Sequence, residues 1–231
     1  MRLVAIDTST WWGGAALVET REGPPRVVAE AGTWVEDSHA ARILGLVDAV
    51  LALAGWSKQS LDAYAATRGP GSFTGIRVGL GTVAGLALAT ERACVGVSTL
   101  AAMSEAAGPS TALRQPMLDA GRGEVYSARY DGTSCPPREL TAPWVGAPER
   151  ALLEAGPDAV ALFGSGALAH EGRLRAAGYT GVCGPTPTSI AAGAGRIAAF
   201  RLAAGEHGEA DLVPLYLRPA DAELKRPKAG P

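Results

Sequence analysis

The sequence GPGSFTGIRVG at residues 69–79 decides how the surrounding chain folds. It follows the apolar run LDAYAAT at residues 61–67 and precedes a long apolar segment, so the pattern predicts a strand, a tight turn and a helix over residues 73–90. Gly71 can take a positive φ in the turn, and Ser72 or Thr74 can cap the first helical turn. A strand that passes through a glycine-rich turn into a helix is typical of an α/β protein.

The same stretch invites comparison with phosphate-binding loops. A P-loop has the pattern GxxxxGK[ST], in which the lysine reaches the outer phosphates and the hydroxyl binds magnesium. Here Ile76 follows Gly75, and Arg77 lies inside the predicted helix. The sequence therefore argues against a P-loop, while weak anion binding at the helix N-terminus stays open.

The chain on both sides of this stretch has an α/β rhythm. Strand-like runs and helical patterns alternate up to about residue 105, and a second series begins after Gly108. We expect an N-terminal unit at residues 1–105, a second α/β unit at 106–205, and a C-terminal segment at 206–231 that ends in a mobile tail. The helices that we predict cover residues 39–54, 73–90, 99–107, 167–177 and 189–204, and the predicted strands include 2–7, 13–19, 25–31, 61–67, 93–98, 114–120, 123–130 and 159–164.

The composition excludes several classes of protein. The 231 residues are 47% hydrophobic and 19% charged, which is enough to bury a large core. The formal net charge of −2 lacks the positive excess of a protein that grips nucleic acid by itself. Three widely spaced cysteines suit neither a disulfide framework nor a zinc site. We expect a cytoplasmic protein with no signal sequence and no membrane span.

Two predicted helices stand out because they are apolar on more than one side. The second one also carries glycines, each of which costs a helix roughly 0.8 to 1 kcal/mol relative to alanine. Close packing against another backbone is a reason to keep them. We expect this packing in an interface between subunits, and packing on the sheet of the same domain is the alternative. The predicted interface residues are Ile43, Leu46, Val47 and Val50 on the first helix, and Gly75, Gly79, Thr82 and Gly85 on the second.

Six segments together resemble a known family. They are AIDTST (5–10), SHAARILGLVDAVL (38–51), GPGSFTGIRVGLGTVAGLA (69–87), LDAGRGEVYSARY (118–130), FGSGA (163–167) and LVPLYLR (212–218). In these segments the chain resembles the TsaB family, the non-catalytic subunits of the bacterial machinery that makes threonylcarbamoyladenosine in tRNA. The resemblance extends from about Leu3 to Arg218, and the loop at 69–79 is its most specific part.

The resemblance implies an actin-like fold of the sugar kinase and actin superfamily, with two related α/β subdomains. It also implies a scaffold role: a heterodimer with the catalytic subunit TsaD, a ternary complex with the ATPase TsaE, and a homodimer when the subunit is alone. Contact with tRNA is expected only through the complex. No catalytic residue, cofactor or metal is expected in this chain itself.

The alternative is an enzyme in its own right, either an actin-like ATPase or kinase, or a metal-dependent glycoprotease. In nucleotide-binding relatives of this fold, the turn after the first strand approaches phosphate closely. Here Asp7 is followed by Thr8 and Ser9, and then by Trp11 and Trp12, so we expect this turn to be closed to ATP. The three histidines, at positions 39, 170 and 207, are too far apart for a metal-binding pair on one helix.

Overall fold

The computed structural model describes residues 1–35, 38–108, 113–153, 160–209 and 211–218. It has a five-stranded first sheet with the order β3-β2-β1-β4-β5. Strands β1 to β3 form an antiparallel meander, and β4 and β5 run parallel to β1. The strands are β1 (Arg2–Asp7), β2 (Trp12–Glu19), β3 (Arg26–Trp34), β4 (Ala63–Thr67) and β5 (Ala93–Val97).

The second sheet repeats part of this arrangement. Its central strand β6 pairs with an antiparallel neighbour in a hairpin and with a parallel strand that comes later in the chain, as β1 does in the first sheet. Its strands are β6 (Leu113–Gly121), β7 (Glu124–Ser127), β8 (Tyr130–Asp131), β9 (Arg138–Glu139), β10 (Trp144–Gly146) and β11 (Val160–Phe163). The mixed α/β class expected from the sequence is therefore confirmed.

The described part of the chain contains six α-helices: α1 (Ile43–Ala54), α2 (Phe73–Thr90), α3 (Thr99–Ala106), α4 (Ser165–Ala169), α5 (Glu171–Ala176) and α6 (Ile190–Ala203). The predicted bounds of α2 are confirmed. Two other predicted helices are interrupted, because Arg42 and His170 both have φ near −115°, outside the helical range. A short 3-10 turn at His39–Ala41 therefore precedes α1, and α4 and α5 are separate helices.

The first sheet is covered by helices on both faces because successive side chains of a strand point to opposite sides. Leu3 and Ala5 of β1 belong to a core shared with α3 and α6, while Val4 and Ile6 belong to a core shared with α1 and α2. Helix α6 falls within the predicted unit 106–205, yet it packs on the first sheet. The packing thus crosses the boundary predicted at residue 105, and that division stays a prediction.

The turn before α2 has the geometry that its sequence predicts. Gly71 has a φ of +151°, and a Cβ at this position would collide with the carbonyl oxygen of Ser9. The backbone N–H of Ser72 donates to that same oxygen at 2.8 Å, and the Ser72 hydroxyl accepts from the N–H of Gly75 at 3.2 Å. Glycine and the serine cap therefore hold the start of α2 against the turn that follows β1.

The C-terminal segment packs on the body of the protein as far as Arg218. The tail that we expected to be mobile begins beyond this point, and residues 219–231 lie outside the described part of the chain.

Candidate functional site

The structure places most of the predicted interface residues of α1 inside the subunit. Ile43, Val47 and Val50 are at most 2% exposed and pack against the first sheet, and Leu46 is half-buried beside them. They therefore cannot form a surface of the folded monomer. This corrects the assignment of these side chains, because the apolar stripe chosen from the sequence is the one that covers the sheet.

The first two glycines predicted for the interface face inward as well. A Cβ on Gly75 would collide with the Thr8 carbonyl oxygen, and a Cβ on Gly79 would collide with the Thr8 hydroxyl, which donates to the carbonyl of Gly75 at 2.7 Å. Thr82 is half-buried and its hydroxyl donates a hydrogen bond to the carbonyl of Val78, whereas Gly85 is exposed. The close backbone approach that we expected does occur, but with the turn after β1 of the same subunit.

The opposite side of these two helices is apolar and exposed. Leu53 is 73% exposed and Leu88 is 83% exposed, and nothing lies within 4 Å of a Cβ built on Gly81 or Gly85. Both helices cover the same face of the first sheet, so this side of each points away from it. We call this surface the outer face; it consists of Leu44, Gly45, Ala49, Ala52, Leu53, Gly81, Ala84, Gly85, Leu88 and Ala89.

Helix α2 is also long and apolar enough to cross a membrane by length and composition alone. Core helices of soluble proteins pass the same test. In this structure the inward side of α2 packs on β4 and β5, and its outward side carries Arg77 in the first turns. The apolar residues of α2 therefore lie on two sides of the helix, one packed on the sheet and one exposed. The exposed side belongs to the outer face, which is the first candidate site.

A second candidate is a cleft of about 780 Å³ between the two sheets. Three turns converge here, the one after β1, the one at the end of β6 and the one between β11 and α4, since Ser9, Asp119 and Ser165 all line it. None of the described lining residues is a lysine or an arginine, the side chains that usually bind a phosphate chain. Its remaining lining residues are Thr10, Trp11, Trp12, Trp34, Val35, Ser38, His39, Gly71, Ser72, Thr74, Gly75, Val78, Leu118, Ala120, Tyr126, Thr186, Pro187 and Thr188.

Asp7 lies behind the cleft lining and is held by the protein itself. One oxygen, Oδ1, accepts from the Ser9 N–H at 3.0 Å, the Ser9 hydroxyl at 2.6 Å and the Thr67 hydroxyl at 2.7 Å. The other oxygen, Oδ2, is buried without a partner among the described residues. Burial raises the pKa of the Asp7 carboxyl, and the hydrogen bonds from Ser9 and Thr67 oppose that rise. The side chain therefore acts as an internal strut of the first turn.

The raised pKa predicts how Asp7→Asn changes stability with pH. A raised pKa in the folded state means that the favourable contribution of the carboxyl is complete below its unfolded pKa of about 3.9 and is lost as pH rises through the folded pKa. Asparagine does not titrate and can keep the accepted hydrogen bonds through its Oδ1. We expect the stability of Asp7→Asn relative to wild type to improve between about pH 4 and about pH 7 in urea unfolding.

Asp131 provides the matched control, because hydrogen bonds from Thr133 lower its pKa. A lowered pKa stabilises the fold at pH values above the unfolded pKa. The unfolding free energy of Asp131→Asn relative to wild type should therefore fall as pH rises, which is the opposite trend. If Asp7→Asn also becomes relatively weaker with rising pH, the Asp7 carboxylate is needed in its ionised form and the strut interpretation is wrong.

The histidines do not form a metal site in the described part of the chain. His39 lines the cleft, and its ring packs so closely on Gly13 that a Cβ there would lie 2.9 Å from Nδ1. His170 places Nε2 at 3.8 Å from Asp119 Oδ1, and the N–H of Asp119 donates to the Ser165 hydroxyl at 3.1 Å. The contacts of Asp119 with His170 and Ser165 hold the turns of the second half against one another.

Comparison with known proteins agrees with this fold. The family model described as "TsaD: tRNA N6-adenosine threonylcarbamoyltransferase" matches residues 33–171. The curated protein "tRNA threonylcarbamoyladenosine biosynthesis protein TsaB" of Bacillus subtilis is 30% identical over 97% of both chains. The protein of the same name from Haemophilus influenzae is 33% identical over 74% of both chains. That from Escherichia coli is 35% identical over 67% of this chain, and the match spans 63% of its own length.

Solved structures give the same result. The structure of YeaZ from Pseudomonas aeruginosa superposes with a TM-score of 0.76 at 30% identity, over 94% of this chain and 99% of that one. The ethanolamine utilization protein EutJ from Carboxydothermus hydrogenoformans has a TM-score of 0.53 at 13% identity, over 85% of this chain and 89% of that one. The latter shows the fold alone. The actin-like fold class that the resemblance implied is confirmed.

Proposed function

Because the chain belongs to the TsaB family of tRNA threonylcarbamoyladenosine biosynthesis proteins, we propose that it is a non-catalytic scaffold subunit of the synthesis complex. In this proposal it binds the catalytic subunit TsaD as a heterodimer, and the pair then binds TsaE. It forms a homodimer when alone, meets tRNA only through the complex, and works in the cytoplasm.

The observation that carries the proposal is the outer face. Exposed apolar surface often marks an interaction site, and Leu44, Leu53 and Leu88 are the large exposed side chains on this one. The small residues beside them let another helix approach closely. A two-fold interface uses the same patch on both subunits, so a helix pair of this kind suits a homodimer. The match of residues 33–171 to the TsaD family model supports a relative with similar helices as the second partner.

The cleft supports the non-catalytic part of the proposal. The transfer of a phosphoryl group depends on cations that neutralise the developing charge. One oxygen of Asp7 accepts hydrogen bonds from Ser9 and Thr67, and the described lining residues include no lysine or arginine. We therefore assign the chemistry of the complex to the partner.

The test is reconstitution with the TsaD counterpart of the same organism. Purified chain and TsaD are mixed, and complex formation is followed by sedimentation while threonylcarbamoyladenosine in tRNA is measured after addition of TsaE, ATP and the threonylcarbamoyl donor. We expect a stable mixed complex, and modification only when both subunits are present. Modification by TsaD and TsaE alone at the same rate would overturn the proposal.

A separate prediction concerns the isolated chain. We expect it to hydrolyse ATP no faster than a buffer control, because the described lining of the cleft includes no lysine or arginine for the phosphates and Trp11 and Trp12 flank the first turn. Release of inorganic phosphate is the measurement, with and without Mg²⁺. Turnover that disappears in Asp7→Ala or Asp119→Ala would identify an ATPase site in the cleft and favour the enzyme alternative.

A further inference from the structure

The segment between Gly208 and Arg218 crosses the molecule from the first sheet to the second, and we call its described residues the strap. The strap is first attached at the edge strand β5. Glu209 donates its backbone N–H to the carbonyl of Cys94 at 2.8 Å, and its Oε1 accepts from the N–H of Gly96 at 3.1 Å. Arg201 of α6 also contacts that carboxylate at 3.4 Å. This end of the strap is therefore anchored by several contacts.

The middle of the strap lies on the start of α2. The N–H of Leu215 donates to the carbonyl of Arg68 at 2.6 Å. The ring of Tyr216 stacks on that of Phe73 with a centroid distance of 4.9 Å and an interplanar angle of 27°. The Arg77 guanidinium lies 3.8 Å from the Phe73 centroid. The first turn of α2, whose neighbouring residues form one wall of the cleft, is thus held by aromatic packing with the strap.

The end of the strap is attached to the other wall. Arg218 donates through Nη1 to the carbonyl of Ala120 at 3.0 Å and forms an ion pair with Glu124 across the β6–β7 hairpin. Its side chain is only 17% exposed. Ala120 and Ser72 both line the cleft. The strap therefore contacts both walls within a few residues of its own length.

The two walls are also connected through a core that both halves of the described chain share. Leu118 of β6 belongs to the core that α3, α6 and the first sheet share, and Ala120 lies two residues further towards the hairpin tip. A shared core at the base allows hinge motion, whereas a link nearer the tip restrains it. The position of the strap is that of such a restraint.

We propose that the strap is a clasp that holds the two walls of the cleft together, and that release of its last three residues opens the cleft. The anchored end at Glu209 stays in place during this motion, while the contacts of Tyr216 and Arg218 break. The inference is independent of the proposed function, since it concerns the motion of one subunit by itself.

Charge reversal tests the clasp in the full chain. Arg218→Glu faces Glu124 with a like charge, and the double variant Arg218→Glu with Glu124→Arg restores an ion pair in the opposite sense. Hydrogen exchange measured by mass spectrometry reports on residues 9–12, which line the cleft. We expect exchange there to rise about three- to tenfold in Arg218→Glu and to return towards wild type in the double variant.

Tyr216→Ala and Tyr216→Phe form the second matched pair. Alanine removes the ring that stacks on Phe73, whereas phenylalanine keeps it, so only the first should raise exchange at residues 9–12. Arg175→Ala, which breaks an exposed ion pair with Glu171 inside α5, controls for the loss of a surface charge. Exchange at residues 9–12 that stays at the wild-type rate in both Arg218→Glu and Tyr216→Ala, or that rises equally in Arg175→Ala, would overturn the clasp.

Discussion

Gly75→Ala and Gly85→Ala should change stability in opposite directions, although both replace glycine by alanine in α2. At Gly75 the new methyl group would collide with the Thr8 carbonyl oxygen, which is backbone and cannot rotate away. Overpacking of this kind typically costs about 1 to 3 kcal/mol. At Gly85 nothing lies within 4 Å of the new methyl group, so the better helix propensity of alanine should stabilise the fold by about 0.5 to 1 kcal/mol.

Urea unfolding of the two variants and the wild type measures both effects on one scale. The expected gap between the variants is roughly 1.5 to 4 kcal/mol in unfolding free energy. Gly79→Ala should behave like Gly75→Ala, because its methyl group would collide with the Thr8 hydroxyl, and Gly81→Ala should behave like Gly85→Ala. Equal destabilisation at all four positions would show that the outward side of α2 is as crowded as the inward one.

Leu88→Asp and Leu53→Asp should weaken association through the outer face while leaving the folded subunit intact. Both leucines are mostly exposed in the monomer, so the aspartates meet water there and cost little. In an interface each aspartate would be buried without a partner, which is costly. We expect dissociation constants for the homodimer and for the TsaD complex to rise about tenfold to a hundredfold, equivalent to about 1.4 to 2.8 kcal/mol.

Sedimentation over a range of concentrations measures this association, and thermal unfolding checks the fold of the same samples. Leu153→Asp is the matched control, because Leu153 is 81% exposed and lies in the second half, away from the outer face. Variants of the outer face that dimerise and bind TsaD as tightly as the control would rule out this surface and leave the partner contact to be sought elsewhere.

The elements around the loop at 69–79 follow from local signals in the sequence. The apolar run before it, the glycines within it and the serine cap after it are local signals, and each has a local physical cause in strand burial, backbone freedom and hydrogen bonding. The bounds of α2 and the positive φ of Gly71 follow from them. The family could be recognised for the same reason, because its most specific motif is continuous in sequence.

Which side of each helix is covered depends on how the helices pack on the sheet. Helices α1 and α2 are apolar on more than one side, so periodicity alone does not show whether Val47 or Leu53 faces the sheet. The same holds for the glycines of α2, since Gly75 meets Thr8 and Gly85 meets nothing within 4 Å.

The cleft and the strap could not be predicted from the sequence for a related reason. Tyr216 stacks on Phe73, and Arg218 pairs with Glu124, across more than ninety residues of chain in each case. Such contacts leave no periodic or local pattern, because the two partners are brought together by the packing of whole sheets. Local propensity therefore fixed the secondary structure of this protein, while burial against the sheets and contacts between distant segments fixed which residues are available to a partner.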